Sequence, residues 1–428
     1  MLELAVLADD LTGGMIIASK LEAAGIACPL VTSTEEFLAL PGDPTAVVLA
    51  RKIRLVAPAE ARLEAEAAAA AFIRRGAKTI FYKYSALFES TDQGNIGPIA
   101  EALLASTGAK RTIFCPAYID RGLTLYKGNI FVGSTLLSET AKRFDPMTPA
   151  TTSDVVAKLR RQTTWQVGLA DHQMLTGEAA AIAAALEAQP EVPFWVMDAV
   201  DEADVAKIAA VTRDWPLVTG ADSLPPAIIH DRRGRASAEP GSGRRLLPGV
   251  SGGEAVIAGS CGVATMAQLE AFAERRPVWR IELARDAEKE DLVDSIAAWA
   301  ADRLPEGPVA IATTADPAGV AAAQAAFGRE GASKRADRIL GELAVRLRDL
   351  GVGKFVISGG ETSGQVLKAL DVGRLEVAAY DDLHGGYCYA PGARPASFVL
   401  KPGGLGDQQF LFNALHRLRE AERQSAEG

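Results

Sequence analysis

The sequence predicts an α/β protein of two domains, each a mainly parallel sheet flanked by helices, and three observations carry that reading. Short apolar runs alternate with longer, alanine-rich segments of helical period, the pattern of β–α units that build parallel sheets. Several of those runs end abruptly in acids or glycines and lead straight into a helix. At 428 residues the chain also exceeds what one ordinary core organises.

In chain order, the candidate strands of the first half are Leu4–Ala8, Ala46–Ala50, Thr79–Tyr82, Thr112–Cys115, Phe194–Asp198 and Leu217–Thr219. Those of the second half are Ala255–Ala258, Val309–Ala312, Phe355–Ile357 and Phe398–Leu400. The helices between them are punctuated. "PAEARLEAEAAAAAFIRRG" has Pro58 for its first turn, arginines at its end and Gly76 as its stop. The stretch His230 to Gly253 is rich in Gly, Pro, Ser and Arg and reads as a linker or mobile loop, which divides the chain into domains 1–229 and 254–428. Gly122 to Thr152 reads as a long irregular tract, and such loops are often functional. The closing "DQQFLFNALHRLREAERQSAEG" is an amphipathic helix with a polar tail.

Composition excludes some partners. A net charge of −9 lacks the basic footprint that nucleic acid requires. The four cysteines (Cys28, Cys115, Cys261 and Cys388) are far apart and suit free thiols in a reducing compartment. The four histidines form no ligand-like cluster, so no zinc site is expected. "MLELAVLADD" lacks the basic start of a signal peptide, and no apolar run is long enough to span a membrane, so no membrane partner and a cytoplasmic location are expected.

The chemistry gathers at strand ends, where open sheets bind ligands. "AVLADDLTGGMIIAS" places Asp9 and Asp10 where a buried strand becomes a helix that Thr12 could cap. One aspartate could serve the local backbone, but adjacent carboxylates repel unless hydroxyls or cations compensate them. "RKIR" sets Lys52 and Arg54 after the second strand and reads equally as a carboxylate clamp or a solvated charge run. In "YKYSALFESTDQGNIGPIAEAL", Lys83 ends a strand, and Ser90, Thr91, Gly94 and Asn95 precede a helix. Tyr118 and Asn129 lie in the following loop region.

In the second half, "FVISGGETSGQVLKAL" runs from a strand through Gly359 and Gly360 to Glu361, Thr362, Ser363 and Gly364. Glycines there admit an anion to the backbone N–H groups, and small hydroxyls donate to it. The stretch matches neither the P-loop nor the dinucleotide fingerprint. "VIAGSCGVATMAQLEAF" contributes Ser260, Thr265 and Gln268, and "VLKPGGLGDQQF" contributes Lys401, Gly403 and Gly406. Three strand-to-glycine exits in one domain can converge on one nucleotide.

Together "ADDLTGG", "KYSALFESTDQGNIGP", "CPAY", "YKGNIFVGSTLLSET", "IAGSCGVATMAQ", "GGETSG" and "LKPGGLG" resemble, in order and over nearly the whole chain, the four-carbon acid sugar kinase family, most closely its 3-oxo-tetronate branch. The resemblance implies a sugar-acid-binding N-terminal domain, an ATP-binding C-terminal domain and an active site in the cleft between them. It implies ATP and Mg²⁺ as cofactors and a small sugar acid as partner, with a homo-oligomer left open. It places Asp9, Asp10, Arg54, Lys83, Gly94 and Asn95 at the acceptor, to which the reading of the residues adds Lys52, Ser90, Thr91, Tyr118 and Asn129; Asp9, Asp10 and Lys83 are the expected catalytic residues. The resemblance places Ser260, Gly359, Gly360, Glu361, Thr362, Ser363 and Gly406 at the nucleotide, the reading of the residues adds Gly364, Lys401 and Gly403, and no protein metal site is expected.

The match has departures. Family D-D-x-T-G-A-x-D has Ile16 at its last acid, S-T-x-[RK]-G-N has Gln93 at its basic position, and N-G-R-T has Leu123 at its arginine. L-K-S-G-N-F-G appears with Pro402 and Gly404. These changes bear on what the acceptor end binds more than on the fold. A kinase for another short or branched sugar acid and a non-catalytic nucleotide-binding protein therefore stand as alternatives.

Overall fold

The computed structural model describes residues 1–145, 147–234 and 247–427, and its chain divides into two compact units, Met1–Gly243 and Arg244–Gly428. In the first unit the strands are β1 (Leu4–Ala8), β2 (Leu30–Val31), β3 (Ala46–Ala50), β4 (Thr79–Lys83), β5 (Thr112–Cys115), β6 (Leu123–Tyr126), β7 (Asn129–Val132), β8 (Thr135–Leu136), β9 (Val167–Ala170), β10 (Phe194–Met197) and β11 (Leu217–Gly220). The main sheet runs β2-β3-β1-β4-β11-β5-β10-β9, and its pairings are parallel. Every residue of β1, β3 and β4 is buried, because helices cover both faces; this is why these strands read as unbroken apolar runs.

The second unit holds β12 (Gly253–Ala258), β13 (Val278–Arg280), β14 (Val309–Ala312), β15 (Val352–Ser358), β16 (Arg374–Val377), β17 (Tyr387–Ala390) and β18 (Ala396–Lys401). Its order is β13-β14-β12-β15-β18-β17-β16, parallel up to β18 and antiparallel beyond. The closing helix, Phe410–Glu427, buries Phe410, Leu411, Ala414, Leu415, Leu418 and Ala421 against this unit's core.

Each central strand read from the sequence is present. The strands without a sequence signal are β2, β9, β13, β16 and β17, which are two to four residues long and lie away from the parallel centre. The tract Gly122 to Thr152 is not irregular throughout, since β6, β7 and β8 form a small antiparallel sheet. Its first turn uses Lys127 (φ 51°) and Gly128 (φ 74°), the paired positive φ of a tight hairpin. Asp198 accepts both turn N–H groups, at 2.6 and 2.8 Å. A Lys-Gly turn sanctioned by a distant aspartate carries no local sequence signature. The expected linker begins late: His230 to Arg233 close the helix Leu224–Arg233 and Gly253 opens β12, while 235–246 lie outside the described residues. Among the described residues, no helix is long and apolar enough to cross a membrane.

Candidate active site

In the first unit the site grows from the carboxyl edge of β3, β1, β4 and β11. The carboxylate of Asp10, not Thr12, caps the helix Leu11–Ala23 by accepting the Gly13 N–H, and Thr12 Oγ1 donates to the same oxygen at 3.2 Å. A Cβ on Gly13 would lie 2.9 Å from Asp10 Oδ1 and 3.3 Å from Lys83 Nζ, and one on Gly14 would lie 3.0 Å from Val48 Cγ1. The glycine pair thus lets this helix start sit directly on the strands and on Lys83.

Arg54 resolves the problem of two adjacent acids. Its guanidinium donates to both oxygens of Asp9 (Nε–Oδ2 3.0 Å, Nη2–Oδ1 2.8 Å), to Asp10, and through Nη1 to Glu89 at 3.2 Å. Lys142 holds the other Glu89 oxygen. Burial dominates at Asp9 and pushes its carboxyl up despite Arg54. Burial pushes in the same direction at Asp10, but Arg54, Lys83 and the Gly13 N–H outweigh it and hold that carboxyl below its ordinary value. Glu89 is also low, with Arg54 and Lys142 overriding its burial. Two neighbouring acids are therefore driven in opposite directions, the pattern that separates roles in acid–base sites.

Lys83 is buried at the end of β4. It donates to the Tyr84 carbonyl at 2.6 Å and faces Asp222 Oδ2 at 3.4 Å. Burial raises the Asp222 carboxyl more than Lys83 lowers it, and its second oxygen, Oδ1, is buried with no hydrogen-bond partner. Asp222 was missed in the sequence although it follows β11 as Asp9 follows β1, so the strand-end rule would have found it.

Other expected acceptor residues serve the frame. The Asn95 amide donates to the carbonyls of Ile53, Arg54 and Val56 at 2.7–3.3 Å, which fixes the loop carrying Arg54. Ser90 Oγ and the Thr91 carbonyl accept from Gln162, and a Cβ on Gly94 would collide with Ser90 Oγ at 1.9 Å. Ser90, Thr91, Gly94 and Asn95 thus pack this turn and tie it to Gln162 and to the loop of residues 53–56. Lys52 is exposed, and Asn129 bonds the Lys127 carbonyl on the hairpin. Tyr118 is buried beneath Lys20, whose Nζ lies 4.7 Å from the ring centroid.

In the second unit the three glycine exits converge. A Cβ on Gly403 would fall 1.8 Å from Ser260 Oγ, and one on Gly259 would fall 2.1 Å from Thr362 Oγ1. Gly359 adopts φ 122° and precedes the helix Gly360–Ala369. Within that helix Ser363 Oγ bonds back to the Gly359 carbonyl, Thr362 is buried, and Glu361 is exposed. A Cβ on Gly364 would meet nothing within 4 Å, so that face is open. Gly406 (φ 84°) packs on Phe410, and Gln268 donates to the carbonyls of Leu405, Gly406 and Asp407, holding the last loop. Lys401 is buried, with Nζ 3.1 Å from Ser358 Oγ, 3.3 Å from Thr265 Oγ1 and 3.5 Å from the Gly403 carbonyl. Burial lowers its ammonium to about 8. A cation among neutral oxygens, beside a helix start and glycine backbone, suits a phosphate. Among the described residues no group of three His, Cys, Asp or Glu is placed to hold a metal ion.

Comparison with known proteins assigns the same division of labour. Residues 4–228 match a family model described as a sugar-binding N-terminal domain, and residues 255–411 match a nucleotide-binding C-terminal domain. A 3-oxo-tetronate kinase of Pseudomonas fluorescens is 37% identical over 426 residues, covering 97% of both chains. That of Burkholderia multivorans is 36% identical over 422 residues, again covering 97% of both. A crystal structure from Salmonella typhimurium LT2 is 29% identical with a TM-score of 0.81, covering 97% of this chain and 99% of its own. One from Haemophilus influenzae is 27% identical with a TM-score of 0.75, covering 96% and 99%.

Proposed function

We infer the reaction from one premise: this chain belongs to the four-carbon acid sugar kinase family, ATP-dependent phosphotransferases acting on a hydroxyl of a small sugar acid. Its acceptor belongs to the class of small sugar acids that includes the 3-oxo-tetronate named for those relatives. The observation that carries this reading in the molecule is the Asp9–Asp10–Arg54 cluster beside Lys83 and Asp222, on the carboxyl edge of a sheet that matches a sugar-binding domain.

Phosphoryl transfer is mainly positioning and charge stabilisation, so the residues need to orient a hydroxyl and hold phosphates more than form bonds. Asp9 and Asp10, locked by Arg54, offer acceptor oxygens to substrate hydroxyls. Arg54 is engaged by three carboxylates, so the sequence expectation that it grips the substrate carboxylate passes to Lys83. An ammonium has three donors; one goes to Tyr84 and another faces Asp222, leaving a third for the substrate. Raised carboxyls at Asp9 and Asp222 suit the transient uptake of the acceptor proton. Lys401, the Gly360 helix start and the hydroxyls around them would hold ATP phosphates. Mg²⁺ would arrive on those phosphates, as this small ion usually binds with one or two carboxylates and water, and would neutralise charge there.

The test is ADP release from Mg·ATP with 3-oxo-tetronate, threonate and erythronate, in the wild type and in Asp10→Asn. Asparagine still caps a helix, so the fold survives. Turnover should fall about a hundredfold or more with ATP affinity unchanged. Equal turnover would remove Asp10 from the mechanism. ATP binding without ADP release from any acid would favour the non-catalytic alternative.

A further inference from the structure

The carboxyl edge that carries the charged cluster also carries an apolar one. Ala86, Tyr118 and Ala221 form a small buried group, against which Ile16 and Leu123 pack half-buried. Ala86 follows β4, Ala221 follows β11, Tyr118 follows β5, and Ile16 lies in the helix that follows β1. Those four strands are consecutive in the sheet, in the order β1-β4-β11-β5. The apolar group is therefore built from the same strand ends as Asp10, Lys83 and Asp222, with Ala221 adjoining Asp222 in the chain. Its two half-exposed members are the positions where the sequence puts Ile16 in place of an acid and Leu123 in place of an arginine. Structure thus brings two departures that are 107 positions apart onto one apolar cluster, where an acid and an arginine of the family pattern are both replaced by apolar side chains.

We propose that Ile16 and Leu123 form a specificity wall, and that the acceptor is a short sugar acid presenting a hydrocarbon edge to it, a deoxy or C-methyl carbon in addition to the hydroxyls read by the aspartates. This rests on the acceptor reading of the edge given above. The side chains of Ile16, Leu123, Ala86 and Ala221 carry no donor or acceptor, so a hydroxyl directed at them loses its hydrogen bonds to water, whereas a methyl or methylene group buries surface; the one polar group of the cluster is the Tyr118 hydroxyl. Discrimination of about tenfold or more follows from one such group.

The experiment is calorimetric binding of 3-oxo-tetronate, threonate and erythronate against 3,4-dihydroxybutanoate, 2,4-dihydroxybutanoate and 2-C-methyl-erythronate, with ADP release recorded on the same panel. The expected result is that a deoxy or methyl acid binds wild type about tenfold or more tightly than 3-oxo-tetronate, threonate and erythronate. Ile16→Asp/Leu123→Arg should reverse that preference, and Ile16→Ala/Leu123→Ala should flatten it, with ATP affinity retained in both. If the charged variant fails to fold, the alanine variant decides. 3-Oxo-tetronate, threonate or erythronate binding wild type as well as or better than every deoxy and methyl acid overturns the proposal, as does a preference that neither variant moves. The expected binding preference without ADP release refutes the kinase reading and leaves this one standing; ADP release with a preference for 3-oxo-tetronate, threonate or erythronate does the reverse.

Discussion

Under the proposed function the two units face the same problem, holding a small anionic ligand at strand ends, and their strand ends are built of opposite materials. In the first, the edge is crowded with ionised side chains compensated before any ligand arrives: Asp9, Asp10 and Glu89 around Arg54, and Asp222 against Lys83. In the second, the edge is backbone and hydroxyl, three glycine turns around Ser260 and Thr362 with the Lys401 ammonium among neutral oxygens. The difference teaches what each ligand demands. A polyol is recognised by acceptors fixed in direction, and fixing several carboxylates together requires a shared cation. A polyphosphate brings its own charge, so the protein offers N–H groups, room and a cation without a counter-anion.

The most severe way to break the contrast is to remove the shared cation. Arg54→Met leaves Asp9, Asp10 and Glu89 facing one another in a largely buried setting. A loss of about 3–5 kcal/mol of stability is expected for an orphaned buried charge cluster. In wild type Asp10 and Glu89 are held below their ordinary values, so their stabilisation is present above the unfolded carboxylate range and fades as pH falls through their folded values. In the variant those carboxyls move up instead, and protonation relieves their repulsion. Denaturant melts at pH 7.5 and 5 should therefore show a deficit that shrinks toward the acid side. A constant deficit would mean that Arg54 contributes packing rather than charge compensation.

The second unit breaks by volume. Gly403→Ala puts a methyl 1.8 Å from Ser260 Oγ and 2.7 Å from its Cβ, so one glycine exit must move off another. Overpacking of this kind costs about 1–3 kcal/mol, and ATP affinity should drop roughly tenfold to a hundredfold by calorimetry. Sugar-acid binding, the work of the other unit, should stay at its wild-type value. A variant that binds ATP normally would show that the exits need not close on each other.

How legible each site was follows from the same difference. Glycine exits announce themselves locally, and the convergence of Gly259, Gly359 and Gly403 with Ser260 and Thr362 was readable as three strand-to-glycine turns. The charged site was readable only in part. Asp9, Asp10 and Lys83 end visible strands, but nothing local says that Arg54 is shared by three acids or that Asn95 and Gln162 brace the turns around it. Those assignments depend on contacts between residues 35 to 72 positions apart. Thr12 was read as a cap, whereas the acid two residues earlier fills that role, since its carboxylate reaches the Gly13 N–H. The central strands were legible because burial on both faces leaves a continuous apolar run; β16, β17 and the Lys127–Gly128 hairpin are short and marginal and leave no such trace.

The finest probe of the contrast is Lys401, because an unbalanced cation is costly to the fold and useful to the ligand. Burial lowers its ammonium to about 8, so the protonated form is the disfavoured one in the folded state. Its charge therefore destabilises the fold below about 8, and that cost disappears as pH rises toward the ordinary lysine value. ATP has the opposite interest, since it gains from the charged form. Its affinity should hold steady at pH 7 and weaken as pH rises through about 8, by up to about tenfold per pH unit where only the protonated form binds. Lys401→Met should bind ATP weakly with no such slope, yet melt a few degrees higher than wild type at pH 7. A lysine compensated by a carboxylate, as Lys83 is by Asp222, would show the reverse, a variant that melts lower. Equal pH slopes in wild type and Lys401→Met would place the phosphate elsewhere and leave the glycine backbone alone to account for nucleotide binding.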